Sequence, residues 1–189
     1  IGGTSFDWGR RTYVMGVINM TPDSFSGDGL GNNVNSALKQ ALRFQEHGAD
    51  IIDVGGESTR PPMVYAGAAP TSADEELARV VPVIEALTRD LKIPVSIDTH
   101  KAGVAKEALR AGAAMINDVW AFRRDPNMVA VAADAGVPVV LMHNQEHIRY
   151  EDLVPNIITA LRRMTENAVR SGVVFENIIL DPGMGFGKT

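Results

Sequence analysis

The sequence predicts an α/β fold, a TIM-type (β/α)8 barrel present here as about six βα units in a single domain over residues 1–189. Three observations predict it: six short runs that are apolar on both faces, helical periodicity between them, and a helix–glycine–strand junction that recurs along the chain. The runs are Val14 to Ile18, Ile51 to Val54, Val95 to Ile97, Ala114 to Ile116, Val139 to Met142 and Ile178 to Leu180. They do not alternate between apolar and polar residues, so they read as buried parallel strands and not as the half-exposed strands of an antiparallel sheet.

The helical segments follow from spacing. Val34, Leu38, Ala41, Leu42 and Gln45 share one stripe, and Leu77, Val80, Val81, Ile84, Leu87 and Leu91 keep the i, i+3, i+4 rule more closely. Ser72 and Glu75 form a capping box ahead of the second stripe, and Pro82 inside it removes a hydrogen bond and bends the helix. Asp125-Pro126 reads as an N-cap with proline at the first helical position. The junctions are His47-Gly48-Ala49, Ala111-Gly112-Ala113, Ala135-Gly136-Val137 and Ser171-Gly172, each ending a helix at a glycine that can turn left-handed before a strand.

Alternating strands and helices leave a closed barrel or an open doubly wound sheet. The first strand is followed by Asn19-Met20-Thr21-Pro22-Asp23-Ser24 and not by the glycine fingerprint of a dinucleotide fold, which favours the barrel. Six units fall short of the eight that close one. The chain opens on Ile1 and stops at Lys188-Thr189 just after the sixth strand, so a piece of a longer protein is expected.

Composition narrows the function. Hydrophobic residues make up 45% and charged residues 22%, as in ordinary soluble domains. The net charge is −5, with 18 basic and 23 acidic residues interspersed, so no nucleic-acid partner is expected and a small-molecule ligand is. There is no cysteine, which excludes disulfides, thiolate metal sites and a thiol nucleophile, and a cytoplasmic setting is the default. No apolar run reaches the roughly 20 residues that span a bilayer, so no membrane partner is expected.

The strand ends carry the candidate chemistry: Asn19, Asp53, Asp98, Asn117 with Asp118, His143 and Asp181. In a β/α barrel these ends converge on one mouth. Carboxylates and carboxamides together suit a ligand with adjacent N–H donors and a carbonyl, such as the aminopyrimidinone edge of a pterin or purine, at about 1.5 to 3 kcal/mol per hydrogen bond to a charged acceptor. A lone Asp after a strand is more often a turn former; six polar ends out of six are not explained that way. Met142 and Phe186 belong either to the core or to the two sides of a flat ring. Gly55-Gly56-Glu57-Ser58-Thr59-Arg60-Pro61 combines approachable backbone, hydroxyls and an arginine able to grip phosphate. The tail Gly183-Met184-Gly185-Phe186-Gly187-Lys188-Thr189 imitates a phosphate-binding loop, but the first glycine of that motif falls on Pro182. His143 near His147 lacks a third metal ligand.

Taken in order, Met15-Gly16-Val17-Ile18-Asn19-Met20-Thr21-Pro22-Asp23-Ser24-Phe25-Ser26 and Gly48 through Pro61, then Ser96-Ile97-Asp98-Thr99, Ile116-Asn117-Asp118, Leu141-Met142-His143 and Leu180-Asp181-Pro182-Gly183, resemble the dihydropteroate synthase family over nearly the whole chain. The resemblance implies a barrel that joins 6-hydroxymethyl-7,8-dihydropterin diphosphate to p-aminobenzoate, with release of pyrophosphate, in folate synthesis. It implies that Asp98, Asn117 and Asp181 bind the pterin and act in catalysis, with Met142 and Phe186 beside it. Asn19 would coordinate Mg2+ on the diphosphate, Thr59 and Arg60 would touch substrate, and Phe25 would close over p-aminobenzoate. It further implies sulfonamide targeting and a homodimer when full length. Gly27-Asp28-Gly29 and Pro62 through Ala68 depart from the usual loops, and a Ser-Arg-Lys-Ser segment with a later Arg and His does not occur in these 189 residues. A corrinoid-type pterin methyltransferase and a non-catalytic pterin-binding module are the rival readings; Thr21 through Ser26 and Glu57 through Pro61 favour the synthase.

Overall fold

Strand begins where each glycine turn releases the chain from a helix. In the computed structural model, which describes residues 1–21, 33–57, 71–145 and 150–188, the order is β1 (Met15–Asn19), α1 (Val34–Glu46), β2 (Ile51–Gly55), α2 (Ala73–Asp90), β3 (Val95–Asp98), α3 (Ala102–Arg110), β4 (Met115–Asp118), α4 (Met128–Ala135), β5 (Val139–Met142), α5 (Leu153–Arg170) and β6 (Ile178–Asp181). The four junction glycines, Gly48, Gly112, Gly136 and Gly172, have φ of 93°, 109°, 61° and 97°, the left-handed conformation the sequence pattern requires.

All neighbouring strands are parallel and lie in the order β1-β2-β3-β4-β5-β6. Because parallel crossovers are right-handed, a sheet that always steps to the next neighbour keeps every helix on one face. That is the arc of a β/α barrel; a doubly wound sheet reverses its order.

The two faces of the arc have separate cores. Ile18, Ile52, Val54, Val95, Ile97, Ile116, Val139 and Leu141 point outward and pack with Ala41, Val80, Ile84, Leu87 and Ala105 of the helices. Gly16 lets Phe44 approach, since a Cβ there would lie 2.7 Å from the Phe44 ring. On the inner face Ile51, Met115 and Val140 form a second cluster with Met15, Ile179, Ile1 and Phe6, so the amino-terminal segment plugs the floor. Arg11 secures that segment, donating two hydrogen bonds of 2.9 and 2.5 Å to Asp50.

The capping box at α2 forms as expected: Ser72 Oγ accepts from Glu75 N, and Glu75 Oε2 accepts from Ser72 N. Asp125 caps as expected but ahead of the regular helix, which starts at Met128: its Oδ1 accepts from the Asn127 backbone N–H at 3.0 Å. Its Oδ2 also accepts from the Ala102 backbone N–H at 2.8 Å, so one carboxylate serves orphan donors at the starts of both α3 and α4. No described helix is long and apolar enough to cross a membrane.

Candidate functional site

Parallel register sorts the polar strand ends. Asn19 pairs with Gly55, Gly55 with Asp98, and Asp98 with Asn117, so one row runs across four strands at their carboxyl ends. Met142 and Asp181 pair in the same way across β5 and β6. These positions alternate with the outward core residues and therefore face the barrel interior. Gly55 leaves the middle of the row open: a Cβ there would stand 3.5 Å from Asp98 Oδ2 and 3.8 Å from Asn19 Oδ1. Asn19, Asp98 and Asn117 are thus brought together, with Asp181 farther round the arc.

Asp53 corrects the sequence reading. It is the third residue of β2 and not its end, because the strand continues through Val54 and Gly55. It faces inward one row below the mouth, is 3% exposed, and accepts a 2.9 Å hydrogen bond from Asn117 Nδ2. Burial pushes its carboxyl above the usual range, against the hydrogen bond that favours the charged form.

Asp118 and His143 do not join the row. Asp118 is fully buried and accepts from the backbone N–H groups of Trp120 and Phe122 at 2.9 and 2.7 Å, holding a turn in which Ala121 and Phe122 have φ of 51° and 67°. Burial raises its pKa, with those backbone donors opposing. His143 lies just past β5, where its backbone N–H donates to Asp181 O at 2.8 Å; burial lowers the pKa of its ring. Met142 packs with Val119, Trp120 and Phe186, so both residues read as flanking a ring sit in one apolar cluster at the mouth. Phe25, Thr59 and Arg60 lie outside the described residues, as do the two variant loops.

Two features escape sequence reasoning. Lys188 Nζ donates to the carbonyls of His143 and Phe186 at 3.0 and 2.9 Å, folding the glycine-rich tail back over β5. Its charge is spent on carbonyl oxygens, and burial lowers its pKa while nearby Asp181 opposes the shift. Lys101 forms ion pairs with Glu57 at 2.6 Å and with the buried Glu76, tying the root of the second loop to α2 and α3. Nothing local marks either partnership, since the residues are 25 to 45 positions apart. No group of three or more His, Cys, Asp or Glu that could hold a metal occurs among the described residues. Among the described residues, Asn19 offers a side-chain oxygen at one end of the row.

The chain matches the sequence profile described as pterin binding enzyme over residues 15–189. It is 51% identical to a dihydropteroate synthase of Clostridium beijerinckii, over 100% of this chain and 68% of that protein. Among solved structures it is similar to a dihydropteroate synthase of Clostridium difficile determined in the presence of pteroic acid (TM-score 0.87, 49% identity, 98% of this chain and 69% of that one). It is also similar to the enzyme of Xanthomonas albilineans in complex with 7,8-dihydropteroate (TM-score 0.81, 41% identity, 95% and 63%). The chain therefore spans about two thirds of the length of these relatives. An inward row of amide and carboxylate groups on an in-order parallel arc, together with these likenesses, establishes that the chain belongs to the pterin-binding enzyme family, among the dihydropteroate synthases.

Proposed function

We propose that the intact protein condenses 6-hydroxymethyl-7,8-dihydropterin diphosphate with p-aminobenzoate to give 7,8-dihydropteroate and pyrophosphate. The row Asn19–Gly55–Asp98–Asn117, with Asp181 and the Met142–Phe186 cluster beside it, carries the reading. Acceptors beside an apolar cluster suit a planar ring whose edge is rich in N–H donors. The relatives determined in the presence of pteroic acid and in complex with 7,8-dihydropteroate support the same ligand class.

In this reading Asp98, Asn117 and Asp181 accept from the pterin ring, while Met142 and Phe186 pack on it and exclude water. The carboxylates favour positive charge developing on the exocyclic methylene carbon as its bond to the diphosphate oxygen breaks. The neutral arylamine nitrogen attacks that carbon, the new C–N bond forms, and the amine loses a proton to solvent; no covalent enzyme intermediate is involved. Thr59, Arg60 and Phe25 contribute from the loops, the arginine toward phosphate and Phe25 over p-aminobenzoate. Asn19 would hold Mg2+, which takes oxygen donors and usually few protein ligands, and the open space above Gly55 leaves room at the Asn19 oxygen. Bound there, magnesium supplies positive charge opposite the departing diphosphate. Residues 1–189 form one pterin-binding barrel domain of a longer, cytoplasmic, homodimeric protein.

The test is pyrophosphate release by the full-length gene product with and without p-aminobenzoate and magnesium. Release that depends on both is expected. Release indifferent to aminobenzoate refutes the proposal, and pterin binding without turnover would favour a binding module. Methyl transfer to a corrinoid would favour the methyltransferase.

A further inference from the structure

We infer that Asp53 is a positioning residue that fixes the amide of Asn117 so that Oδ1, and not Nδ2, faces the ligand. The inference rests on the pterin reading of the site and adds to it a residue one layer below the binding row.

Two inward rows lie one above the other on β2, β3 and β4. The upper is Gly55–Asp98–Asn117, and the lower is Asp53–Ser96–Met115. Asn117 reaches from the upper row across β3 to the lower one, placing Nδ2 2.9 Å from Asp53 Oδ2. Oδ2 accepts in this contact, and the nitrogen of the amide is the atom that faces it. The amide is planar, and Oδ1 is therefore turned away from Asp53, toward the mouth. A carboxamide without this partner could present either end; held by Asp53, it presents an acceptor. Asp98, Asn117 and Asp181 then offer acceptors alone, and the ligand must supply donors at each.

Stability does not account for Asp53. It is 3% exposed, with the Asn117 amide and the neighbouring Ser96 hydroxyl as its hydrogen-bonding company. Even so, a buried carboxylate paired only with neutral groups is destabilising compared with an apolar or neutral side chain of similar size. Such a group is retained where it does something other than hold the fold.

Three measurements on the full-length protein test the assignment. First, titration with 6-hydroxymethyl-7,8-dihydropterin diphosphate should show at least tenfold weaker binding for Asp53→Asn, with Tm unchanged or raised. Second, the exchange variant, Asp53→Asn with Asn117→Asp, restores a donor below and an acceptor above, and should bind more tightly than Asp53→Asn alone. A merely structural role predicts a lowered Tm and no recovery on exchange. Third, without ligand, the side-chain amide protons of Asn117 should exchange slowly with solvent in the wild type and rapidly in Asp53→Asn. Wild-type affinity in Asp53→Asn, failure of the exchange to recover binding, or unprotected Asn117 amide protons in the wild type would each overturn the inference. Wild-type protein that protects those protons but binds no pterin would instead remove the functional reading and leave the positioning contact standing.

Discussion

Replacing Lys101 with methionine is expected to destabilise the protein by about 3 to 5 kcal/mol, the cost of stranding a buried charge. The magnitude comes from what Lys101 leaves behind: its partners Glu76 and Glu57 have side chains only 1% and 11% exposed, and His100 Nδ1, at 3.8 Å from Glu57, is too far to replace the ammonium. In a domain of this size each kcal/mol shifts Tm by roughly 2 to 4 °C, so a fall of roughly 6 to 20 °C should appear in calorimetry at pH 7. The same change made with Glu76→Gln should cost less than the sum of the two, because the stranded charge goes with it. The sign with pH is fixed by the lysine. Burial lowers its pKa, but the two carboxylates raise it further, and the net shift is upward. Its contribution is therefore fully present below the ordinary lysine value of about 10.4 and is lost as pH climbs through the higher folded value. A Tm loss under about 2 °C, or additivity with Glu76→Gln, would refute the reasoning and show the network to be no stronger than a surface pair.

Other outcomes follow from single contacts. Asp98→Ala should weaken binding of the pterin diphosphate by roughly 10- to 150-fold, the equivalent of one charged hydrogen bond, in a direct titration. Gly183→Ala places a Cβ 2.2 Å from the His143 carbonyl at a φ of 74° and should cost about 2 to 5 kcal/mol in urea unfolding, through steric overlap and left-handed strain. The His143 ring should titrate below about 6.5 by NMR, because burial disfavours its charged form. Asp50 is held below the usual carboxylate range by Arg11 and the Val14 N–H, so its contribution exists above about pH 3.9 and is lost as pH falls through the lower folded value. Asp50→Asn should accordingly flatten the acid limb of a Tm-against-pH curve and leave the alkaline limb unchanged.

The repeating unit was legible because its signals are local. A glycine able to turn left-handed ends α1, α3, α4 and α5, and the Ser72–Glu75 box starts α2; each can be read within a few residues. The strand-end positions of the candidate residues were legible wherever register agreed with the visible end of an apolar run, as for Asn19, Asp98, Asn117 and Asp181. Asp53 was misplaced because Gly55 looks like a strand terminator. Here it continues the strand, pairing with Asn19 on one side and Asp98 on the other. The local cap of Asp125 on the Asn127 N–H was legible, whereas its second bond, to a helix start 23 residues away, was not. Contacts such as Asn117 with Asp53, 64 residues apart, or Lys188 with His143, 45 apart, depend on which strands become neighbours, and no local pattern announces that.

The sequential order of the sheet also sets a timetable for assembly. Asp53, Asp98 and Asn117 belong to three consecutive strands, so everything needed to orient the Asn117 amide lies between residues 51 and 118. As the chain emerges amino end first, those strands can zip together before β5 or β6 has been made. Asp181 and the Lys188 latch arrive later, against a bed already shaped. A slip in pairing at the β5–β6 edge would misplace one wall of the pocket and leave its base intact.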